Sequence, residues 1–343
     1  MTRAKKWNYE ELLNDAERRG LLVVAQCDSQ RRQLDRLVKR GELFAPHPRI
    51  YVRKEYWRGR KPPEKTLMLA RALSTIHPEW VFCGSTAALL HGLEVPNDLL
   101  GCVQVAANRN RPDRAVNGVE RVFTGGNRGR IEAIEGNRVV SAEEAALVCM
   151  ADSSFPDGLA VADSLLRKKG MQRDDLLSMV CLYGRGPLLE GRLATIASHA
   201  DGRSENGGES IARGVMIEQG FLAPDLQYEL GDPLRPGSTF RGDYHWTIPD
   251  GQVIGELDGM DKYFNPLIAR DDDLARRLAE EKRRESRLYM AGYRVMRFGM
   301  PEVRNQRALV DLLEGFGIPR HDAFGREVPK GKLLLGAERV VNL

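Results

Sequence analysis

Three carboxylates in the C-terminal third, Asp243, Glu256 and Asp258, have the spacing of a cation-dependent phosphate centre. Asp243 and Glu256 stand thirteen residues apart on either side of a Pro249-Asp250-Gly251 turn, an order that predicts two strands of one hairpin. Glu256 and Asp258 are two apart in an otherwise apolar run, so their side chains point to one face of a strand. Three carboxylates on one sheet face repel each other and lose hydration unless a cation joins them. Oxygen donors suit Mg2+ or Mn2+ better than zinc, which makes Asp243, Glu256 and Asp258 the expected metal ligands. Such an ion polarises a phosphate ester and acidifies an attacking water. Lys262 would then stabilise charge developing on the phosphate or orient that water. The competing view is that these acids are surface ion-pair partners of the arginine-rich helix downstream.

The elements that must position them follow from the local pattern. A glycine-rich stretch, residues 201–208, precedes a helix opened by Glu209, whose apolar face is Ile211, Val215 and Ile217. Tyr228–Leu230, Arg241–Trp246 and Val253–Gly259 read as strands, and Asp271–Ala291 as a long charged helix ended by Gly292. Tyr293–Phe298 is a further strand, on which Arg297 would face the metal site or the substrate.

The ordered set Glu209, Arg241-x-Asp243, Glu256-x-Asp258-Gly259, Lys262-Tyr263, Arg284-Glu285 and Gly292-Tyr293-Arg294-Val295 resembles the very-short-patch-repair-like endonucleases of the PD-(D/E)XK superfamily, over about residues 203–318. The resemblance implies that Glu209, Asp243, Glu256 and Asp258 are the catalytic and metal-binding acids of a DNA endonuclease. The chain departs from the superfamily's E-x-K element: Glu256-Leu257-Asp258 stands there, and the lysine follows as Lys262.

The N-terminal part carries a second set of charges. Residues 8–19 predict a helix ended by Gly20, and Asp28 and Ser29 suit the start of another, closed by Gly41. That second helix buries Leu34, Leu37 and Val38 and crowds Arg31, Arg32, Arg36, Lys39 and Arg40 elsewhere. Leu43–Ala45 and Arg49–Arg53 then read as a two-stranded wing. Helix, cationic helix and hairpin is the order of a winged helix-turn-helix, in which the helix enters the major groove while Arg49 and Arg53 reach phosphates. With Cys83-Gly84-Ser85-Thr86-Ala87-Ala88-Leu89-Leu90-His91-Gly92-Leu93 further on, this region resembles the AbiEi family of abortive-infection antitoxins over about residues 8–170. That resemblance implies a DNA-binding repressor that counters a nucleotidyltransferase toxin. Ser85 and His91 read as helix-capping and packing residues, because no D-x-D follows on the next strand to serve nucleotidyl transfer.

The fold class expected is therefore α/β multidomain: a winged helix-turn-helix at 1–60, an α/β middle domain at 61–200, a restriction-endonuclease-like domain with a mixed sheet at 201–320, and a tail at 321–343. Hydrophobic residues at 42% and charged residues at 29% suffice for buried cores and exclude a disordered chain. The formal net charge of +4 permits nucleic-acid binding without requiring it. Five widely spaced cysteines with no C-x-x-C pair argue against a disulfide framework or zinc ribbon. The N-terminal residues lack a signal-peptide pattern, and no run approaches the roughly 18 apolar residues of a membrane span, so a cytoplasmic location without membrane association is expected. Two functions remain open: a DNA-targeted endonuclease, and an antitoxin-like repressor with a silent nuclease fold. RNA also remains open as substrate, since these residue types do not distinguish the sugar.

Overall fold

A computed structural model of the chain describes residues 8–107, 115–123, 130–183, 186–258 and 271–341. It is an α/β structure that divides into two units, Met1–Asp152 and Ser153–Leu343.

The first unit starts with α1 (Tyr9–Arg18), where the Asn8 side chain accepts a hydrogen bond from the Glu11 amide, one of those a helix start leaves without a partner. There follow β1 (Val23–Val24), α2 (Asp28–Lys39), β2 (Leu43–His47) and β3 (Ile50–Arg53). β3 lies between β1 and β2 and pairs antiparallel with both, so the expected two-stranded hairpin is part of a three-stranded sheet. Leu13, Leu34, Leu37, Leu43 and Tyr51 form its buried cluster. The Tyr51 hydroxyl, which needs a partner when buried, donates to Asp35 at 2.6 Å. The same unit continues through α3 (Lys54–Arg58), α4 (Pro62–Ile76), β4 (Val81–Phe82), α5 (Gly84–Leu90), β5 (Val103–Ala107), β6 (Val119–Phe123), β7 (Ile131–Ile134), β8 (Asn137–Val140) and α6 (Ala142–Ala151). A mixed five-stranded sheet, ordered β6-β5-β4-β8-β7, holds these strands. Ser141 caps α6 by accepting from the Glu144 amide.

The second unit opens with α7 (Phe155–Lys169), α8 (Arg173–Tyr183) and α9 (Pro187–His199). The sequence placed these helices in a middle domain ending at 200; here they group with the C-terminal elements. The reason is a buried contact between α7 and α10 (Gly207–Glu218). Arg213 donates to both oxygens of Asp163 at 2.9 and 2.7 Å, and Arg213 also reaches the His199 carbonyl at 2.7 Å. One residue on, a Cβ on Gly214 would sit 2.6 Å from Pro156 Cα, so α10 approaches α7 at glycine distance. The sheet that follows is mixed, as expected: β9 (Asp225–Gly231), β10 (Thr239–Ile248) and β11 (Gly251–Asp258) are antiparallel, and β12 (Tyr293–Gly299) runs parallel to β11 after α11 (Asp271–Met290). Tyr244, Trp246, Val253, Met296 and Phe298 pack with Ala212 and Met216 of α10 and with α13 (Gln306–Gly315), which follows the short α12 (Met300–Arg304). Ile254, Val295 and Leu230 pack against Leu288 of α11. The stretch beyond 320, which the sequence left unassigned, is anchored to the end of α10. Gln219 exchanges hydrogen bonds with the backbone of Leu334, and Arg339 pairs with Glu218 at 2.8 Å.

None of the five cysteines forms a disulfide. Among the described residues, no helix is long and apolar enough to cross a membrane.

Asp163 is fully buried and Arg213 is 5% exposed, so removing one partner strands the other's charge. Asp163→Ala is expected to destabilise the C-terminal unit by about 3–5 kcal/mol, read as a lowered midpoint in urea unfolding. A change under about 1 kcal/mol would mean that this pair does not hold α7 to α10.

Candidate functional site

Asn206 begins α10 by accepting the Glu209 amide at 3.0 Å. Glu209, three residues in, folds back over the same turn. Its Oε1 accepts from Asn206 Nδ2 at 2.6 Å, and its Oε2 from the Glu205 amide at 2.7 Å and from Gln227 Nε2 at 3.1 Å. This is a helix-capping geometry, yet the residue is only 5% exposed. Burial pushes its carboxyl up to about 7; the Asp243 charge pushes the same way, while the amide donors pull down. Gln227, which supplies one of those donors, has a left-handed backbone with φ 51° inside β9. A non-glycine residue there stores about 1–3 kcal/mol of strain, a pattern that concentrates at functional sites.

Asp243 on β10 lies one residue beyond the Tyr244–Gly255 pair, toward the end of the β10–β11 ladder. Its Oδ2 accepts from the Leu257 amide at 2.8 Å. Across from it, Glu256 is 7% exposed. Burial raises its carboxyl above the usual range, Arg284 and Arg297 oppose that, and the charges of Asp243 and Asp258 add to it. The four acids Glu209, Asp243, Glu256 and Asp258, drawn from α10, β10 and β11, are thus close enough for neighbouring charges to act on one another.

Glu256 is the most constrained of them. Its Oε1 is 2.7 Å from a guanidinium nitrogen of Arg284, on α11, and its Oε2 is 2.7 Å from one of Arg297, on β12. Arg297 also reaches Asp258 at 3.4 Å and pairs with Glu281. One guanidinium touching both Glu256 and Asp258 agrees with their sharing a strand face. Arg284 is held in place by donating to the Arg241 carbonyl at 2.6 Å, and the Arg241 side chain pairs with Glu205. Neither Glu256 Oε1 nor Arg297 Nε has a well-aligned hydrogen bond, although both are buried; such atoms cost about 1–3 kcal/mol each. The contact is one of charge with incomplete hydrogen bonding.

Of the acids in this region, Glu205 pairs with Arg241, Glu256 with Arg284 and Arg297, and Asp258 and Glu281 with Arg297, while Glu209 and Asp243 accept from amides. Carboxylate oxygens are the donors that a divalent cation of the Mg2+ or Mn2+ type takes. The expected closing of Asp243, Glu256 and Asp258 around one ion is a different matter: among the described residues, no three His, Cys, Asp or Glu side chains stand at metal-ligand spacing. The two arginines keep Glu256 turned to themselves. Lys262 lies outside the described residues.

In the N-terminal unit, Arg31, Arg32, Arg36, Lys39 and Arg40 are all exposed along α2. Arg31 pairs with Asp35 at 3.6 Å and Arg40 with Glu42 at 3.9 Å. Arg32 donates to the Asp28 carbonyl at 3.3 Å. The two wing arginines are directed differently from the expectation. Arg53 is bound by Glu17 at 2.8 Å and by Glu10, so its charge is spent joining β3 to α1. Arg49, at φ 69° in the β2–β3 turn, donates to the Ala25 carbonyl at 2.9 Å. Arg53 is thus engaged within the unit, whereas Arg49 is exposed and commits one guanidinium nitrogen to this contact. Ser85 is buried with its hydroxyl and amide on Gln104 Oε1, and His91 Nε2 contacts the Val140 carbonyl at 2.8 Å, in keeping with packing roles.

Reading by residue type missed Glu281, Gln227 and the Arg241–Glu205 pair. Glu281 was accessible in principle: it lies three residues before Arg284, on the same helix face. Gln227 carries no such signal, since its backbone conformation is set by tertiary contacts.

No family model matches the chain. Two proteins of Mycobacterium tuberculosis, uncharacterized protein Rv2248 and uncharacterized protein MT2308, are each 26% identical to it over 277 residues, covering 80% of this chain and 92% of their own length. That alignment is longer than either unit, so the similarity crosses the boundary at Asp152. No solved structure matches.

Because the Glu209 carboxyl is raised in the folded chain, the folded state holds a proton that the unfolded state has released between pH 4.5 and about 7. Its contribution to stability is therefore fullest at the acid end of that window and is lost as pH rises, by about 3 kcal/mol at most. In EDTA, the unfolding free energy of the wild type is expected to fall from pH 5 to pH 8 relative to Glu209→Gln. Parallel pH profiles for the two proteins would contradict this assignment.

Proposed function

We propose that the chain is a metal-dependent endonuclease of the PD-(D/E)XK type, acting on DNA to which its N-terminal unit binds. One observation carries the reading: Glu209, Asp243, Glu256 and Asp258, from α10, β10 and β11, lie close enough for their charges to act on one another. Asp243, Glu256 and Asp258 would hold the ion, Mg2+ or Mn2+. When bound, such an ion polarises the scissile phosphate and acidifies an attacking water. Glu209, with its carboxyl near 7, exchanges a proton close to neutrality, the range a general base requires. Lys262 keeps the role that the resemblance implies, orienting water or stabilising phosphate charge. At the other end of the chain, Arg32, Arg36 and Lys39 of α2 are exposed cations, and among the described residues no ion pair engages them. A helix with this charge suits the major groove and the flanking phosphates.

A second reading has its own support. Both Glu256 oxygens face arginines, which suits a silent nuclease fold in an antitoxin-like DNA-binding repressor, whose partner would be a nucleotidyltransferase-type toxin.

The readings separate in a cleavage assay on double-stranded, single-stranded and branched DNA with Mg2+ or Mn2+. The first expects cutting by the wild type and a loss of at least about 100-fold in Asp243→Ala. Indistinguishable behaviour of the two proteins across metals and substrates would leave the repressor reading. DNA binding is tested separately: Arg32→Ala/Arg36→Ala should weaken duplex binding and flatten the salt dependence by about two units of slope. Affinity that ignores both salt and these substitutions would remove α2 from the interface.

A further inference from the structure

Arg284 and Arg297 form the only arrangement among the described residues in which two guanidiniums from different elements meet the two oxygens of a single buried carboxylate. Each oxygen of Glu256 has its own arginine at 2.7 Å. A phosphodiester presents the same pattern, two non-bridging oxygens sharing one negative charge, and arginine pairs recognise it in the same manner. The arginine side chains are 32% and 23% exposed, whereas that of Glu256 is 9% exposed. The guanidiniums can thus be reached from solvent by a ligand that the carboxylate lies behind.

Three further features bear on what this pair is built to hold. Arg284 is fixed by the Arg241 carbonyl and Arg297 by Glu281, so both would stay in place if Glu256 turned away. Glu256 fits them imperfectly: its Oε1 and Arg297 Nε are buried without aligned hydrogen bonds. A phosphate group, with more acceptor directions than a carboxylate, can use donors that Glu256 leaves idle. Finally, Glu256 shares its strand face with Asp258, and Arg297 touches both. A Glu256 released from the arginines would remain on the face that carries Asp258, where the two can share a cation.

We propose that Arg284 and Arg297 are a binding subsite for a phosphodiester group of nucleic acid, and that the Glu256 carboxylate occupies this subsite until the phosphate displaces it. The chain then carries a built-in competitor for its own ligand, and arrival of nucleic acid is coupled to release of a metal-ligating side chain. The inference rests on the nucleic-acid-directed reading above, but not on cleavage.

The test measures binding of a short fluorescein-labelled duplex by anisotropy, in EDTA. It uses the full chain carrying Arg32→Ala/Arg36→Ala, so that α2 contributes little. Glu256→Gln removes the competing charge and should tighten binding about tenfold, with a salt dependence steeper by about one to two units of slope. Adding Arg284→Gln and Arg297→Gln should abolish the gain. Asp250→Asn, which removes a charge at the far end of the same hairpin, is the control for net charge and should change affinity by less than about twofold. Should Glu256→Gln fail to fold, Glu256→Asp retains the charge one methylene short of the arginines and should show a smaller gain with the same arginine dependence. Tightening that requires both arginines supports the subsite. No tightening, or tightening that survives their removal or is matched by Asp250→Asn, overturns it. Arginine-dependent tightening without cleavage in any metal leaves the subsite standing and removes only the nuclease reading. Cleavage without tightening does the reverse.

Discussion

Carboxylates buried at the end of a sheet must be given hydrogen-bond donors or counter-charge, and the C-terminal unit is organised around that requirement. Water is largely excluded from Glu209 and Glu256, and a buried ion without compensation costs several kcal/mol. The chain compensates each differently. Glu209 receives only neutral amide donors and stays close to proton exchange near pH 7. Glu256 receives two full positive charges. Those charges come from α11 and β12, so the parallel placement of β12 beside β11, with Arg297 in register with Glu256, is a condition for burying the acid at all. The α11 crossover brings Arg284 to the same point.

Much of this was legible in the residues. Asp243 and Glu256 flank a Pro-Asp-Gly turn, and the structure pairs their strands as that turn demands. The two-residue spacing of Glu256 and Asp258 placed both on one face, and a single arginine touches both. These features are local: turn chemistry and strand alternation depend on a few neighbouring residues. What stayed illegible depends on distant partners. Arg53 sits on a strand like any phosphate-seeking arginine, and only the position of Glu10 and Glu17 on another helix shows that its charge is used internally. The hairpin of β7 and β8 escaped notice because its turn is Glu135-Gly136, both with left-handed backbone, without the Asn or Asp that marks such turns.

The grouping of α7, α8 and α9 with the C-terminal elements has the same origin. Asp163 and Arg213 lie fifty residues apart, and neither residue type announces its partner. Their pairing, with the approach of Gly214 to Pro156, makes α10 the element on which this unit converges. Its start carries Glu209, its middle is fixed to α7, and its end is bound by residues beyond 320.

That last attachment has a bearing on how the chain matures. The end of α10 is satisfied by Arg320, Leu334 and Arg339, which follow it by 101 to 121 positions. At the ribosome, those partners are still untranslated when α10 leaves the exit tunnel. Among the described residues, every strand pairing of the N-terminal unit, by contrast, is complete once Val140 has been made. The sheets of the N-terminal unit can therefore form while translation continues, whereas the end of α10 must wait for more than a hundred further codons to gain its partners.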